Sequence, residues 1–227
     1  MAEPASRVLR AGGLWFNGKD SYVQIPDSAS LNPRNAITIT FWLCLRGHTR
    51  AAQNFVRKEG QYILGWISGN YVVFCSYLFD TAWRQFPFSK TPSQLEGAWH
   101  FYAVTWPAPE DGRVRNYLDG VLDSVYSFTA PINVTTNPLQ LGREPPGYFG
   151  WGILDEPRIY SRALSADEIY EIYSKGTLIK DGLVLYLPFY EGEGNIAHDV
   201  SGYGNHGTIY GASWVVKKAL RVLPKAR

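Results

Sequence analysis

The chain holds only two cysteines, one methionine and four histidines in 227 residues. Two cysteines cannot build a disulfide scaffold, and no Cys/His spacing suits a zinc site. Cys44 and Cys75 each lie in an apolar, strand-like run, which leaves one disulfide and two buried thiols equally open. No apolar run reaches about 18 residues, so no membrane-spanning helix is expected. The opening MAEPASRVLRAGG lacks the apolar centre of a signal peptide, and no secretion signal is legible in it. Charge is scarce as well. Twenty-two basic against 20 acidic residues leave a formal net charge of +2, too little for a nucleic-acid footprint, and no nucleic-acid partner is expected. The one basic cluster, the tail over 217–227, reads as a solvated end.

What the chain does have is aromatic side chains: 8 Trp, 15 Tyr and 11 Phe, 15% of all residues. Part of that content suits the pleated, half-buried surfaces of β-strands. The rest could offer platforms for the C–H faces of sugar rings. Most of the sequence reads as short strands between turns. AITITFWLCL (36–45) alternates cleanly, placing Ile37, Ile39, Phe41, Leu43 and Leu45 on one face and Thr38, Thr40, Trp42 and Cys44 on the other. QYILGWI and YVVFCSYLF are joined by Ser68–Gly69–Asn70, a hairpin connection, and Asp119–Gly120 marks another tight turn. One helix is expected over 165–176, where Ser165 and Glu168 form a capping box and Gly176 stops the run. Many evenly spaced strands with one short helix predict an antiparallel β-sandwich.

The order of these segments resembles the laminin G-like, concanavalin A-like jelly rolls. LWFNGKDSYVQIPDSASLNPRNAITITFWL matches their early strands; GAWHFYAVTW, NYLDGVLD and GILDEPRIYSRALSADEIYEIY stand at the usual later places. GLVLYLPFYEGEGNIAHDVSGYGNHGTIYGASWV resembles the strand and turns that normally open the fold, yet here it follows the helix. The resemblance therefore implies one all-β, two-sheet jelly-roll domain that is circularly permuted. Residues 1–12 are a leader and 13–216 the domain. Within the domain, 13–176 form the main body, 177–182 a connector and 183–216 the displaced segment; the basic tail follows. Neighbouring chain ends make such a permutation tolerable. A second reading stays open, in which the C-terminal segment, with KKALRV, completes a neighbouring molecule's sheet and drives self-association.

The resemblance also implies candidate sites. The superfamily includes laminarinase-type glycosidases, whose paired carboxylates alternate on one strand to reach one bond. No strand here offers such a pair: Asp155 and Glu156 are adjacent, and Glu191 and Glu193 fall in the turn EGEGN. No catalytic residue is assigned. Related jelly rolls often hold one structural Ca²⁺, a cation that takes six to eight oxygens. The matching positions are Asp155 in GILDEPRIY and Asn17, Gly18 and Asp20 in FNGKDSYV. Glycan binding is the function the resemblance implies, with Trp66, Trp83, Arg84, Tyr148, Trp151, Tyr203, Asn205 and His206 as ligand candidates. Trp83 and Arg84 pair a ring with a donor, PPGYFGWG is a loop carrying three aromatics, and SGYGNHG offers groups that stack and hydrogen-bond. The expected function is a non-catalytic carbohydrate-binding or adhesion module at an extracellular surface, with a glycan or glycoconjugate as partner. The alternative is a self-assembling component of a virion or surface layer, and a glycoside hydrolase is a distant third.

Overall fold

The computed structural model describes residues 12–47, 53–66, 75–107, 111–145 and 147–215. Residues 13–66 supply strands β1 (Gly13–Asn17), β2 (Tyr22–Ile25), β3 (Ala36–Leu45), β4 (Gln53–Lys58) and β5 (Tyr62–Trp66). Residues 75–149 add β6 (Cys75–Phe79), β7 (Trp83–Pro87), β8 (Trp99–Pro107), β9 (Arg113–Leu118), β10 (Val121–Ser127), β11 (Leu139–Leu141), β12 (Arg143–Glu144) and β13 (Tyr148–Phe149). The remainder gives β14 (Trp151–Tyr160), β15 (Leu183–Tyr186), β16 (Ile196–Ala197), β17 (Gly207–Tyr210) and β18 (Ser213–Val215). Two helices, α1 (Pro92–Leu95) and α2 (Ala166–Lys175), accompany them.

All pairings are antiparallel, and they build a two-sheet sandwich. The first sheet runs β10-β9-β8-β3-β14-β1-β18, with β15 also against β14; the second runs β16-β17-β2-β11-β4-β5-β6-β7. The alternation expected of β3 decides which layer each side chain joins. Ile37, Ile39, Phe41, Leu43 and Leu45 enter the core between the sheets, while Trp42 joins Phe101, Tyr160, Ile169 and Ile172 on the outer face, under α2. Cys44 is a buried, free thiol on that outer face, so it forms no disulfide with Cys75, whose strand lies in the other sheet. The helix expected over 165–176 is α2, with its reciprocal capping box at Ser165 and Glu168 and a left-handed Gly176 after it. The one-turn helix α1 was not expected. Thr91 and Gln94 cap it and Pro92 takes its first position, but four residues are too few to show a helical period.

The C-terminal segment is paired within its own chain. β15 lies against the second half of β14, end to end with β1, which occupies the first half. β17 pairs with β2 and β18 with β1. Arg158, fully buried, ties the junction together: its guanidinium donates to the Thr177 carbonyl, Glu156 and the Tyr186 hydroxyl and lies 4.5 Å from the Tyr186 ring centroid. Residues 183–215 are thus paired within their own chain, while KKALRV lies outside the described residues.

Candidate functional site

The β6–β7 hairpin positions the first candidate pair. Asp80 turns it tightly because its side-chain oxygen accepts the backbone N–H groups of Thr81 and Ala82, the local bonding that favours Asp in turns. Phe79 and Trp83 close the hairpin opposite one another, with ring centroids 5.0 Å apart and nearly edge-on. Arg84 sits one residue on and places both Nε and Nη2 3.3 Å from an Asp80 carboxylate oxygen. β7 is the edge of the second sheet and β10 the edge of the first. Hydrogen bonds from Ser124 and Tyr126 to the Pro87 carbonyl draw these edges together. Where they diverge beyond Tyr126, an open cleft of about 580 Å³ remains. Its wall carries Asp80, Trp83, Arg84 and Gln85 on one side and Tyr126, Ser127 and Thr129 on the other, over Phe86 and Phe128. Backbone N–H bonds from Ala82 and Thr81 and the Arg84 guanidinium hold the Asp80 carboxyl below its ordinary range, against the opposing effect of burial. Adjacent on β7, Arg84 shares the face of its core partner Leu78 and Trp83 that of Phe79. The cleft thus offers an ionised carboxylate and a guanidinium with hydroxyls facing them, and the half-buried Trp83 belongs to the same lining from the strand's other face.

The other candidates lie elsewhere. Trp66 ends β5 and pairs with Gln53, but its side chain is outside the described residues. Tyr148 belongs to the β12–β13 hairpin opposite Glu144, so the expected loop is in fact a small two-stranded arm. Trp151 opens β14 and keeps 38% of its surface exposed. Its ring lies over Gly47, where an added Cβ would come within 2.3 Å, and this packing onto backbone fixes one face. Tyr203 and His206 are exposed in SGYGNHG. Asn205 is not available to a ligand: it is buried, its amide donates to Ser30 Oγ and the Val184 carbonyl, and its oxygen accepts from Ser28. Asp199 completes that knot by accepting the backbone N–H groups of Tyr186, Ser201 and Asn205. The motif builds the fold.

The calcium set does not assemble. Asn17 lies opposite Trp151 in the β1–β14 ladder, four positions from Asp155. At about 3.3 Å per residue that is about 13 Å, far beyond a shared coordination sphere. Asn17, Gly18 and Asp20 do form one turn, but the Asn17 side-chain oxygen already accepts from Lys19 N, Asp20 N and Ser21 Oγ. Its amide donates to Asp20 at 2.7 Å. An Asx turn with its own oxygens bonded inward replaces the expected ligand loop. The residues present do not fit the ion. Among the described residues no group of three or more His, Cys, Asp or Glu side chains is arranged to hold a metal.

Asp80 and Tyr126 escaped the sequence reading of the cleft. The Asp-Thr-Ala turn before Trp83 signals Asp80, whereas Tyr126 comes from the other sheet and has no local signal.

The two-sheet sandwich and the LDEPRIY strand at its centre bring the comparison with known families into focus. A family model for the concanavalin A-like lectin/glucanases superfamily matches residues 17–170, well over half of the chain. The chain belongs to this superfamily. No curated protein matches it in sequence. Among solved structures it is similar to a Bacteroides ovatus protein assigned, on inference, to carbohydrate binding: TM-score 0.68, 16% identity, 89% of this chain covered. The chain spans 60% of that protein's length. It is also similar to a heptameric SAP-like pentraxin from Limulus polyphemus, with TM-score 0.65, 12% identity, and 94% and 98% of the two chains covered. A third likeness is the binding domain of botulinum neurotoxin DC in complex with SialylT, with TM-score 0.53, 13% identity, and 74% and 43% covered. At such identities the fold is what these structures share with the chain.

Proposed function

We propose that this superfamily member is a non-catalytic carbohydrate-binding module of a secreted or surface-exposed protein, with a saccharide seated in the Trp83 cleft. The observation that carries the reading is an open cleft of about 580 Å³ whose lining includes Trp83 and the Arg84–Asp80 ion pair. That volume suits a small ligand. An indole covers the apolar face of a pyranose, while a carboxylate and a guanidinium accept from and donate to its hydroxyls. The fold shared with a protein assigned to carbohydrate binding and with a toxin binding domain supports it.

The test is a glycan array followed by titration of the strongest hit. Trp83→Ala should weaken that hit at least about tenfold, about 1.4 kcal/mol, with the thermal midpoint unchanged. Because Asp155 and the Asn17 turn do not share an ion site, binding should persist in EDTA. Array silence, or a hit indifferent to Trp83→Ala, would remove the cleft from the function.

A further inference from the structure

A second constellation lies on the outer face of the second sheet, formed by residues that no local pattern connects. Tyr22 on β2 and Tyr210 on β17 are ladder partners, and their rings stack with centroids 4.6 Å apart and planes 15° apart. The Arg143 guanidinium carbon lies 4.5 Å from the Tyr22 ring centroid. Phe149, opposite Arg143 across the β12–β13 hairpin, stands 5.9 Å from it on another side. The result is a column, Tyr210–Tyr22–Arg143–Phe149, whose Tyr210 end is 42% exposed.

Among the described residues the cation in this column has no counter-charge. The Arg143 side chain makes no hydrogen bond or ion pair with any described residue, and its Nε is buried without a partner. Nearby carboxylates are already committed. Glu144, next in sequence, turns away to Arg57 and Asn54, and Asp20 is held by the Asn17 amide. Most structural arginines satisfy their planar fork with carboxylates or carbonyls. Here stacking holds the fork's orientation while its two Nη groups stay unpaired, which is the state a bidentate oxyanion site requires before its ligand arrives. The surrounding surface fits a sugar rather than a bare anion. Gln24 and Thr208, paired across β2 and β17 one step along the same face, set an amide and a hydroxyl beside the exposed Tyr210 ring.

We propose that Arg143 and its aromatic column form a second binding site, one that takes an acidic saccharide through a carboxylate or sulfate on the guanidinium and a sugar face on Tyr210. β2 and β7 are five strands apart, roughly 24 Å at about 4.8 Å per strand, so this site is separate from the Trp83 cleft and does not rest on it.

Three tetrasaccharides, titrated calorimetrically into the full chain at low salt, test the site: hyaluronan (carboxylates only), keratan sulfate (sulfates only) and desulfated keratan (neutral). At least one acidic probe should bind, more weakly as salt rises, and the neutral one at least tenfold more weakly. Arg143→Gln should cost the acidic probe tenfold or more without moving the thermal midpoint. Arg143→Lys, which keeps the charge and loses the planar fork, should fall between. Trp83→Ala should leave this binding unchanged. Which acidic probe binds identifies the oxyanion. No binding by either acidic probe, equal binding of the neutral one, or full binding by Arg143→Gln would each overturn the proposal.

Discussion

Single residues decide local geometry in ways that can be tested at low cost. Gly142 adopts φ +77°, and a Cβ built there would stand 2.2 Å from the ring of Phe16, a fully buried core side chain. Gly142→Ala therefore combines left-handed strain with overpacking against an aromatic that cannot retreat. It should cost about 2–4 kcal/mol in chemical denaturation. Gly147→Ala, in the same hairpin but with nothing within 4 Å of its Cβ and no positive φ, should stay within about 0.5 kcal/mol. Equal effects would mean that neither contact nor backbone sign governs this arm. At this scale the sequence was readable where alternation applies, as along β3, and opaque where a side chain's partner is remote. Lys58 shows the second case. It is completely buried, its ammonium held by Asp27 and by the carbonyls of Thr135 and Asn137. Those partners are 31 to 79 residues away, beyond any window of periodicity.

At the level of elements, α2 was legible because its signals are local: a capping box, two buried isoleucines one turn apart and a glycine stop. The helix is anchored to the first sheet through Arg162, which reaches Glu168 in the first turn and the Asp181 carboxylate in the connector. Loss of the Ser165 hydroxyl removes one orphan-donor partner, and Ser165→Ala should destabilise the protein by about 1 kcal/mol. The anchor also has a pH signature. Hydrogen bonding to Arg162, against desolvation and aided by the Ser165 N–H, holds the Glu168 carboxyl below its ordinary value in the folded state. A depressed folded value means the stabilisation is fully present above the unfolded pKa, about 4.3, and is lost as pH falls through the lower folded one. Glu168→Gln should thus reduce stability at pH 7 and bring it close to the parent near pH 3, measured by denaturant midpoint across that range. A constant gap between the two would show that Glu168 acts through its shape alone. The same scale explains the calcium miss. Similar motifs identified the right strands, but only the ladder register reveals that Asn17 faces Trp151 and that Asp155 stands four positions away.

For the whole molecule, the decisive feature is that a sandwich is completed by the last part of the chain. Segment order raised the question of whether residues 183–216 close this domain or another, and composition could not answer it, because a strand reads the same whichever sheet it joins. Within this chain the segment contributes β15 beside β14 and the β16–β17 edge of the second sheet. Leu183, Val184, Leu185, Leu187 and Phe189 are all at most 5% exposed. At about 1.5–3 kcal/mol for each large apolar side chain, their burial amounts to about 7–15 kcal/mol. That matches the entire stability of a typical domain, about 5–15 kcal/mol. Ending the chain at Lys180 would also leave β2 and the second half of β14 with bare edges and strand Arg158 without Tyr186, a buried charge losing a ring and a hydroxyl at once. The shortened chain should show no cooperative thermal transition and no near-UV dichroism from its many aromatics. A peptide covering 181–216, added in trans, should restore both if register alone directs the segment to its place. A shortened chain that melts cooperatively at the parent temperature would instead mean that residues 13–176 hold a complete core, with the terminal strands only laid upon it.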